Sequence, residues 1–387
     1  MNSTKPGHFF LIAGIILVSL NLRTSIASVG PLIPFIREDL GMSNGLAGFL
    51  TTLPLLTFAS FSLVAPKIGQ RLGYGKAIFF GIALLAFGVV IRVIGDVSLL
   101  LIGTALTGVG IVIANVLLIP LIKIQLPQKL GLMTALMATM MSLSAAVAAG
   151  VSVPIAVDLD LGWRGSLASW VVLMLLALLV WIPQLRSKRS FRPNTIGGKN
   201  VWKSKLGWFV TLFMGSQSVI YFTFSTWLPD MLINRGWSPV EAGVISSVMQ
   251  LFGLIGSYFA PSLIMRLKQQ STFTIGIGAF YIIAFGALLI EVECLTYLCL
   301  TVIGICMGAS LSIGYVFISL RTSEDQTTSN LSAMVQSIGY YLAAIGPFLF
   351  GWSLDLFNNW DFLIWFMLIF TGLFIYFGYH SGQNKTI

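Results

Sequence analysis

The sequence predicts an all-α polytopic membrane protein with twelve transmembrane helices in two six-helix bundles. Three observations predict this fold class. The 387 residues are 57% hydrophobic and only 9% charged, whereas a soluble domain carries about 25% charged residues. Apolar stretches long enough to cross a bilayer as helices recur along the whole chain. The two halves of the chain also share sequence matches at a constant spacing.

Twelve apolar segments each approach or exceed the length of about 20 residues that a spanning helix needs. These segments are 9–35, 45–66, 75–95, 97–122, 131–156, 164–183, 206–230, 240–264, 272–290, 294–320, 329–354 and 361–379. The connections are short except for 184–205, which is polar and basic. The sequence therefore predicts an N-terminal bundle (1–183), a cytoplasmic basic linker (184–205) and a C-terminal bundle (206–387).

The charge distribution predicts the orientation, because Lys and Arg concentrate on the cytoplasmic side of membrane proteins. With both termini inside, the inner side receives all of the 22 Lys and Arg except Arg23, Arg37, Arg92, Arg164 and Arg235. Of the 13 acidic residues, only Glu324 and Asp325 then lie inside. We expect a multi-pass protein of a bacterial-type inner membrane with both termini in the cytoplasm. The net charge of +9 then reflects topology, and no nucleic-acid partner is expected.

The two halves repeat in parallel. Residues 41–48 match residues 236–243 at a shift of 195 residues, and Asp158-Leu159 match Asp355-Leu356 at a shift of 197. Parallel repeats of six spans imply two bundles around a central cleft. Solute sites in such proteins lie near the midplane of the bilayer, where the two bundles meet.

Arg23 lies near the centre of the first apolar segment. Its guanidinium cannot be neutralised at ordinary pH, and a charge at the bilayer midplane costs about 3 kcal/mol or more. We find no Asp or Glu within any span as drawn, so we interpret Arg23 as a fixed positive charge for an anionic or strongly dipolar solute. The alternative is a structural arginine bonded to backbone carbonyls at a helix break, or to Asn21 and neighbouring hydroxyls.

Polar side chains on three other spans are further candidates for solute binding. With Asn21 and Arg23, the predicted substrate site comprises Asn115 on the fourth span, Gln217 and Tyr221 on the seventh, and Gln336 and Tyr340 on the eleventh. The members of each Gln–Tyr pair are four residues apart and share one helical face. Hydrogen bonding between helices explains each of these residues equally well.

Two features near the outer ends of spans are expected to be structural. Arg92 precedes Asp96 by one helical turn, so we expect it to snorkel and to form an i,i+4 pair with that carboxylate. Trp227 and Pro229 are expected to be an interface anchor and a kink, with an outer gate as the alternative for Trp227.

The loop that follows the second span, residues 66–76, resembles the gating loop of the major facilitator superfamily, of the form G-xxx-D-R-x-G-x-x-K. Arg71, Gly73 and Lys76 fit this pattern, whereas Pro66 and Gln70 replace its first glycine and its acid. The resemblance implies a gating role for these three residues. Gly73 allows a tight turn, and we expect the two basic side chains to cap helix ends.

Residues spread over both halves resemble the cyanate permease and 2-nitroimidazole transporter branch of that superfamily. They are Asn21-Leu22-Arg23, Gly30-Pro31, 108–110, 115–120, 213–218, Trp227-Leu228-Pro229 and 336–340. The chain departs from the wider superfamily at Thr104, where many members place an arginine associated with proton coupling. It also lacks, around 146–154, the Gly-Pro pattern that is typical of antiporters.

We expect a secondary active or facilitative transporter that moves a small anionic or polar planar solute, cyanate-like or nitroheterocycle-like, by alternating access. Without an acid in the spans, uniport, exchange or co-transport with the proton held by solute or water is favoured. The alternatives are an exporter of neutral drug-like or aromatic compounds and, in another class, a membrane solute sensor or an enzyme.

The expected partners are a small-molecule solute and the lipid bilayer, with the protein as a monomer. No catalytic residues and no cofactor are expected. The three cysteines, Cys294, Cys299 and Cys306, have no metal-ligand spacing, so no metal site is expected either.

Overall fold

The computed structural model describes residues 6–62, 64–186, 200–267 and 269–387; residues 187–199 of the predicted linker lie outside these ranges. All regular secondary structure in the described ranges is helical, which confirms the predicted fold class. The fifteen α-helices in these ranges are α1 (Pro6–Ala27), α2 (Ile33–Leu40), α3 (Asn44–Phe61), α4 (Ala65–Leu72), α5 (Tyr74–Val93), α6 (Val97–Gln125), α7 (Leu130–Val157), α8 (Gly162–Ser169), α9 (Val171–Trp181), α10 (Lys205–Asn234), α11 (Pro239–Met265), α12 (Gln270–Ala287), α13 (Glu293–Leu320), α14 (Asp325–Phe357) and α15 (Asp361–Ser381).

Eleven helical segments of the described chain are long and apolar enough to cross a membrane. They correspond to eleven of the twelve predicted spans, and α10 corresponds to the remaining one. The 30 residues of α10 give a length of about 45 Å, but its polar side chains make it less apolar than the other spanning helices. The first predicted span is interrupted, because α1 ends at Ala27 and a 3-10 turn, Gly30–Leu32, leads into α2.

The chain separates into two compact units. The first unit comprises residues 1–42 and 53–193, and the second comprises residues 43–52 and 194–387. The boundary within the N-terminal half falls inside α3, whose first nine residues, 44–52, therefore belong to the second unit.

The first unit is built around the close pair α5 and α6. Small residues let these two helices approach: a Cβ on Gly88 would lie 2.6 Å from the carbonyl oxygen of Gly103, which is too close for a real contact. Around this pair, α1 packs against α7 and α9. The interior is apolar and includes Leu22, Val89 and the fully buried Trp181.

Arg92 in the first unit is buried, so the prediction that it snorkels was wrong. Its side chain is 1% exposed, and Nη1 donates a hydrogen bond to the Ser25 carbonyl oxygen at 2.9 Å. That oxygen is available because α1 breaks, and the Val29 N–H bonds to Ile26 instead. Asp96 does not pair with Arg92 in the described chain. Its carboxylate caps α6 by accepting from the Leu99 N–H.

The second unit is organised around α10, which packs against α14 and α15, while α11 packs closely against α13. Trp227 of α10 is fully buried, so the prediction of an interface anchor was wrong. Its Nε1 donates to the Pro347 carbonyl oxygen at 3.0 Å, and its ring packs against Phe350 and Trp360. The buried ring found a hydrogen-bond partner in α14, as buried tryptophans usually do.

Candidate functional site

Arg23 lies on an accessible stripe of α1. It is half-buried, as are Ile16, Leu20 and Ala27, which share its helical face, whereas its neighbours Leu22 and Thr24 are each only 1% exposed. Arg23, about one turn before the end of α1 at Ala27, is therefore partly accessible.

Asn21 lies on the opposite, buried stripe of α1 and is 1% exposed. Its Nδ2 donates to the Leu17 carbonyl oxygen at 2.8 Å and to the Leu173 carbonyl oxygen of α9 at 3.2 Å. One of these hydrogen bonds therefore lies within α1, and the other joins α1 to α9. The structure separates the side chains of Asn21 and Arg23, although the two residues are close in sequence.

Asn115 lies half-buried on α6. Its side-chain amide makes no hydrogen bond within the described residues, which leaves both its donor and its acceptor available. Thr104, about three turns away on the same helix, is buried and donates to the Leu100 carbonyl oxygen at 2.7 Å. Asn115 is thus the more accessible of these two polar side chains in α6.

The two glutamine–tyrosine pairs lie on adjacent helices of the second unit. α10 and α14 approach closely where Gly215 faces Gly339, since a Cβ on Gly339 would lie 3.8 Å from the Gly215 backbone nitrogen. Gln217 and Tyr221 follow Gly215 on α10, and Gln336 and Tyr340 flank Gly339 on α14. The glycines at the crossing let the backbones of α10 and α14 come close together.

The two glutamine amides are both held by serine hydroxyls. Nε2 of Gln217, which is 3% exposed, lies 2.7 Å from the Ser218 Oγ. Nε2 of Gln336, which is half-buried, lies 3.2 Å from the Ser332 Oγ. These serines orient the amides, and sequence reasoning missed them although Ser332 lies one turn before Gln336.

An aromatic cluster accompanies these amides. The ring of Phe222 lies between those of Tyr221 and Tyr340, with centroid distances of 5.0 Å and 6.3 Å. All three residues are half-buried. Phe222 was not predicted as a site residue because an apolar residue in an apolar helix gives no signal in the sequence. The second unit therefore presents partly accessible rings beside oriented amide groups.

Asp230 is a buried acid at the last residue of the predicted seventh span. It is 5% exposed, and it lies inside α10, which continues to Asn234. The predicted seventh span ended at this residue, so the sequence placed the carboxylate at the edge of the membrane. The argument against proton coupling from the lack of a buried acid therefore fails.

The gating-loop residues lie at the junction between α4 and α5. Gly73 has φ +83° and ψ 145°, a conformation that few residues other than glycine adopt, which confirms the predicted tight turn. Arg71 is exposed in the last turn of α4, where a cation is favourable. Lys76 is exposed in the first turn of α5. A helix N-terminus carries positive partial charge, so Lys76 does not stabilise the start of α5 itself.

The predicted site residues thus form two groups, each within its own unit. Arg23, Asn21 and Asn115 belong to the first unit. Gln217, Tyr221, Gln336 and Tyr340 belong to the second unit, where Phe222 contacts the rings of both Tyr221 and Tyr340.

Comparison with known proteins places these residues in a family context. The family described as the Major Facilitator Superfamily matches residues 12–342. An uncharacterized transporter of Bacillus subtilis, YycB, is 43% identical over 93% of this chain and 90% of its own length. The 2-nitroimidazole transporter of Escherichia coli is 34% identical over 97% of this chain and 96% of its own length.

A more distant relative and a solved structure extend this comparison. The cyanate transport protein CynX of Escherichia coli is 24% identical over 87% of this chain and 88% of its own. The crystal structure of a bacterial homologue of the human lysosomal transporter Spinster superposes with a TM-score of 0.82 at 12% identity, covering 98% of this chain and 97% of that one. At this identity, the structural likeness bears on the fold alone.

Proposed function

Because the chain belongs to the major facilitator superfamily and is therefore a transporter and not an enzyme, we propose that its solute is a small anion or a polar planar molecule. Transport is secondary active or facilitative and proceeds by alternating access. The observation that carries the proposal is Arg23, a permanent cation on the accessible stripe of a spanning helix.

The charge of Arg23 supports an anionic or strongly dipolar solute. A guanidinium offers several N–H donors in a planar fork and matches planar acceptor groups such as carboxylate or nitro oxygens in geometry. Asn115, whose amide is available in the described structure, adds a neutral donor and acceptor on α6. Asn21, which ties α1 to α9, supports the helix that carries the charge.

The second unit supports a planar solute. The rings of Tyr221, Phe222 and Tyr340 give flat apolar surfaces on which a small ring can stack. The amides of Gln217 and Gln336, each held by a serine, give hydrogen bonds that fix orientation. A few placed polar groups among aromatic side chains are typical of small-molecule sites.

The named relatives point to the same chemistry. One relative is named for 2-nitroimidazole, a planar heterocycle with a dipolar nitro group, and another for cyanate, a small anion. A nitroheterocycle-like solute is favoured by the higher identity, and it also suits the aromatic cluster. A cyanate-like solute needs only the cation and the amides.

The proposal also covers the membrane topology, the oligomeric state, the gating residues and the coupling to protons. Both termini lie in the cytoplasm, as the charge distribution predicts. The protein consists of the bundles 1–183 and 206–387 and works as a monomer. Arg71, Gly73 and Lys76 act in gating. The buried carboxylate of Asp230 is compatible with proton coupling.

The test compares purified wild-type protein with Arg23→Gln and with the charge-preserving control Arg23→Lys. Thermal stabilisation by cyanate, 2-nitroimidazole and neutral aromatic compounds is measured first, because a ligand that binds only the folded state raises the Tm. Counterflow of the labelled hit in proteoliposomes then separates transport from sensing. We expect a hit among the anions or nitroheterocycles that is lost in Arg23→Gln and largely kept in Arg23→Lys.

The opposite pattern would change the proposal. A neutral aromatic compound that stabilises wild type and Arg23→Gln equally would make Arg23 structural and favour export of neutral compounds. Binding without counterflow would favour a solute sensor.

A further inference from the structure

The carboxylate of Asp355, near the end of α14, binds the start of α3. Its Oδ1 accepts from the Asn44 N–H at 2.8 Å, and its Oδ2 accepts from the Gly45 N–H at 2.7 Å. These contacts lie within the second unit, to which residues 43–52 belong. Two charge-assisted hydrogen bonds from one carboxylate to a helix N-terminus are a strong arrangement, and the helix dipole adds to it.

The start of α3 has no acid of its own for this purpose. Its Ser43 hydroxyl accepts from the Leu46 N–H at 3.2 Å, which leaves the N–H groups of Asn44 and Gly45 for an external acceptor. The equivalent helix of the second repeat, α11, is capped internally. There Ser238 and Glu241 form a complete capping box, and Pro239 has no N–H to satisfy. The two repeats thus differ at the start of this helix, because α3 is capped by Asp355 and α11 is capped by its own residues.

Close backbone contact supports this carboxylate. A Cβ on Gly48 would overlap the Pro347 carbonyl oxygen, and a Cβ on Gly351 would overlap the Asn44 carbonyl oxygen. One turn further, the Thr52 hydroxyl donates to the Ala344 carbonyl oxygen at 2.7 Å. The face of α3 that meets α14 therefore consists of Gly45, Gly48 and Thr52. Thr52 is also the last residue of α3 that belongs to the second unit.

The boundary between the two units falls next to a proline inside α3. Pro54, immediately after Leu53, lies inside the helix. A proline there removes one backbone hydrogen bond and permits a bend. The first turns of α3 can therefore change their contacts without moving the rest of the helix as a rigid rod.

We propose that Asp355 is a positioning residue of the transport cycle. Its carboxylate holds the first turns of α3 on α14 in the state observed here, and the cycle passes through a state in which both hydrogen bonds are broken. This inference rests on the alternating access proposed above. Removing the carboxylate should favour the released state.

The test measures release directly and needs no solute. Ala47, in the first turn of α3, is 1% exposed, and an Ala47→Cys reporter is introduced with Cys294→Ser, which removes the exposed native cysteine. Membrane vesicles of both orientations are treated with an impermeant maleimide. We expect the reporter cysteine to be labelled about tenfold faster in Asp355→Asn than in its parent, because the charge-assisted hydrogen bonds are lost. The Tm of each variant is measured in parallel.

The matched control is Asp158→Asn, because Asp158 is the repeat counterpart of Asp355 and is exposed, with no side-chain hydrogen bond in the described chain. The control should label at the parental rate. An equal rate for Asp355→Asn and its parent would overturn the proposal, even if the Tm falls. Asp355→Asn is used because asparagine keeps the shape of the side chain and one acceptor. Failure of the solute screen leaves this result unaffected.

Discussion

Two arginines in spanning helices have opposite environments. Arg23 is half-buried on an accessible stripe, whereas Arg92 is 1% exposed. Nε and Nη2 of Arg92 have no hydrogen-bond partner in the described structure. A buried cation with unsatisfied donors is costly, so the bond from its Nη1 to Ser25 at the break of α1 is the contact that explains its position.

This environment predicts different effects for two substitutions of Arg92. Arg92→Ala leaves a cavity and an unpaired Ser25 carbonyl, so we expect a loss of about 3 kcal/mol in stability. Arg92→Met fills most of the volume and removes the unsatisfied N–H groups, so we expect a loss within about 1 kcal/mol. Thermal unfolding of the purified variants measures both. Equal losses would show that the guanidinium itself is required.

At the scale of elements, the turn between α4 and α5 depends on one backbone conformation. Gly73 ends α4 by donating to the Gly69 carbonyl oxygen at 2.9 Å, and its own carbonyl accepts from Ala77 to begin α5. One residue therefore terminates one helix and starts the next. Its positive φ is the condition for this connection.

Gly73→Ala should destabilise this turn. A residue with a Cβ at φ +83° is strained by about 1–3 kcal/mol, so we expect a lower Tm. The control is Gly276→Ala in α12, where a Cβ meets nothing within 4 Å. There alanine should be neutral or slightly stabilising, because it favours the helix. An unchanged Tm for Gly73→Ala would contradict the strain argument.

At the scale of the whole molecule, the topology depends on whether α10 crosses the membrane. It is the long helix that lacks an 18-residue window of high hydropathy in the described chain. If α10 crosses, ten spans separate the start of α5 from the C-terminal end of α15. If it does not, the number is odd, and these two positions lie on opposite sides.

We expect Lys76 and Lys385 to lie on the same side of the membrane. Both are exposed, so Lys76→Cys and Lys385→Cys, each combined with Cys294→Ser, can be labelled with an impermeant maleimide. Vesicles of known orientation should show both cysteines accessible from the cytoplasmic face alone. Accessibility from opposite faces would exclude a crossing by α10 and change the predicted orientation of one half.

The sequence by itself determined the features that depend on local composition and periodicity. Hydrophobic length gave the spans, because the bilayer requires about 20 apolar residues per helix. Glycine at position 73 predicted the turn, since its steric freedom is a local property. The i,i+4 spacing predicted that Gln217 and Tyr221, like Gln336 and Tyr340, share helical faces.

Only the tertiary structure decided the contacts between residues far apart in the chain. Arg92 meets Ser25 because α1 breaks, and Trp227 is buried because α14 covers it. The sequence treated Asp158 and Asp355 as equivalents, yet Asp355 alone of the two binds a helix start, 310 residues away from Gly45. Spacing along one helix cannot reveal such partners, because burial and hydrogen bonding depend on which helix lies opposite.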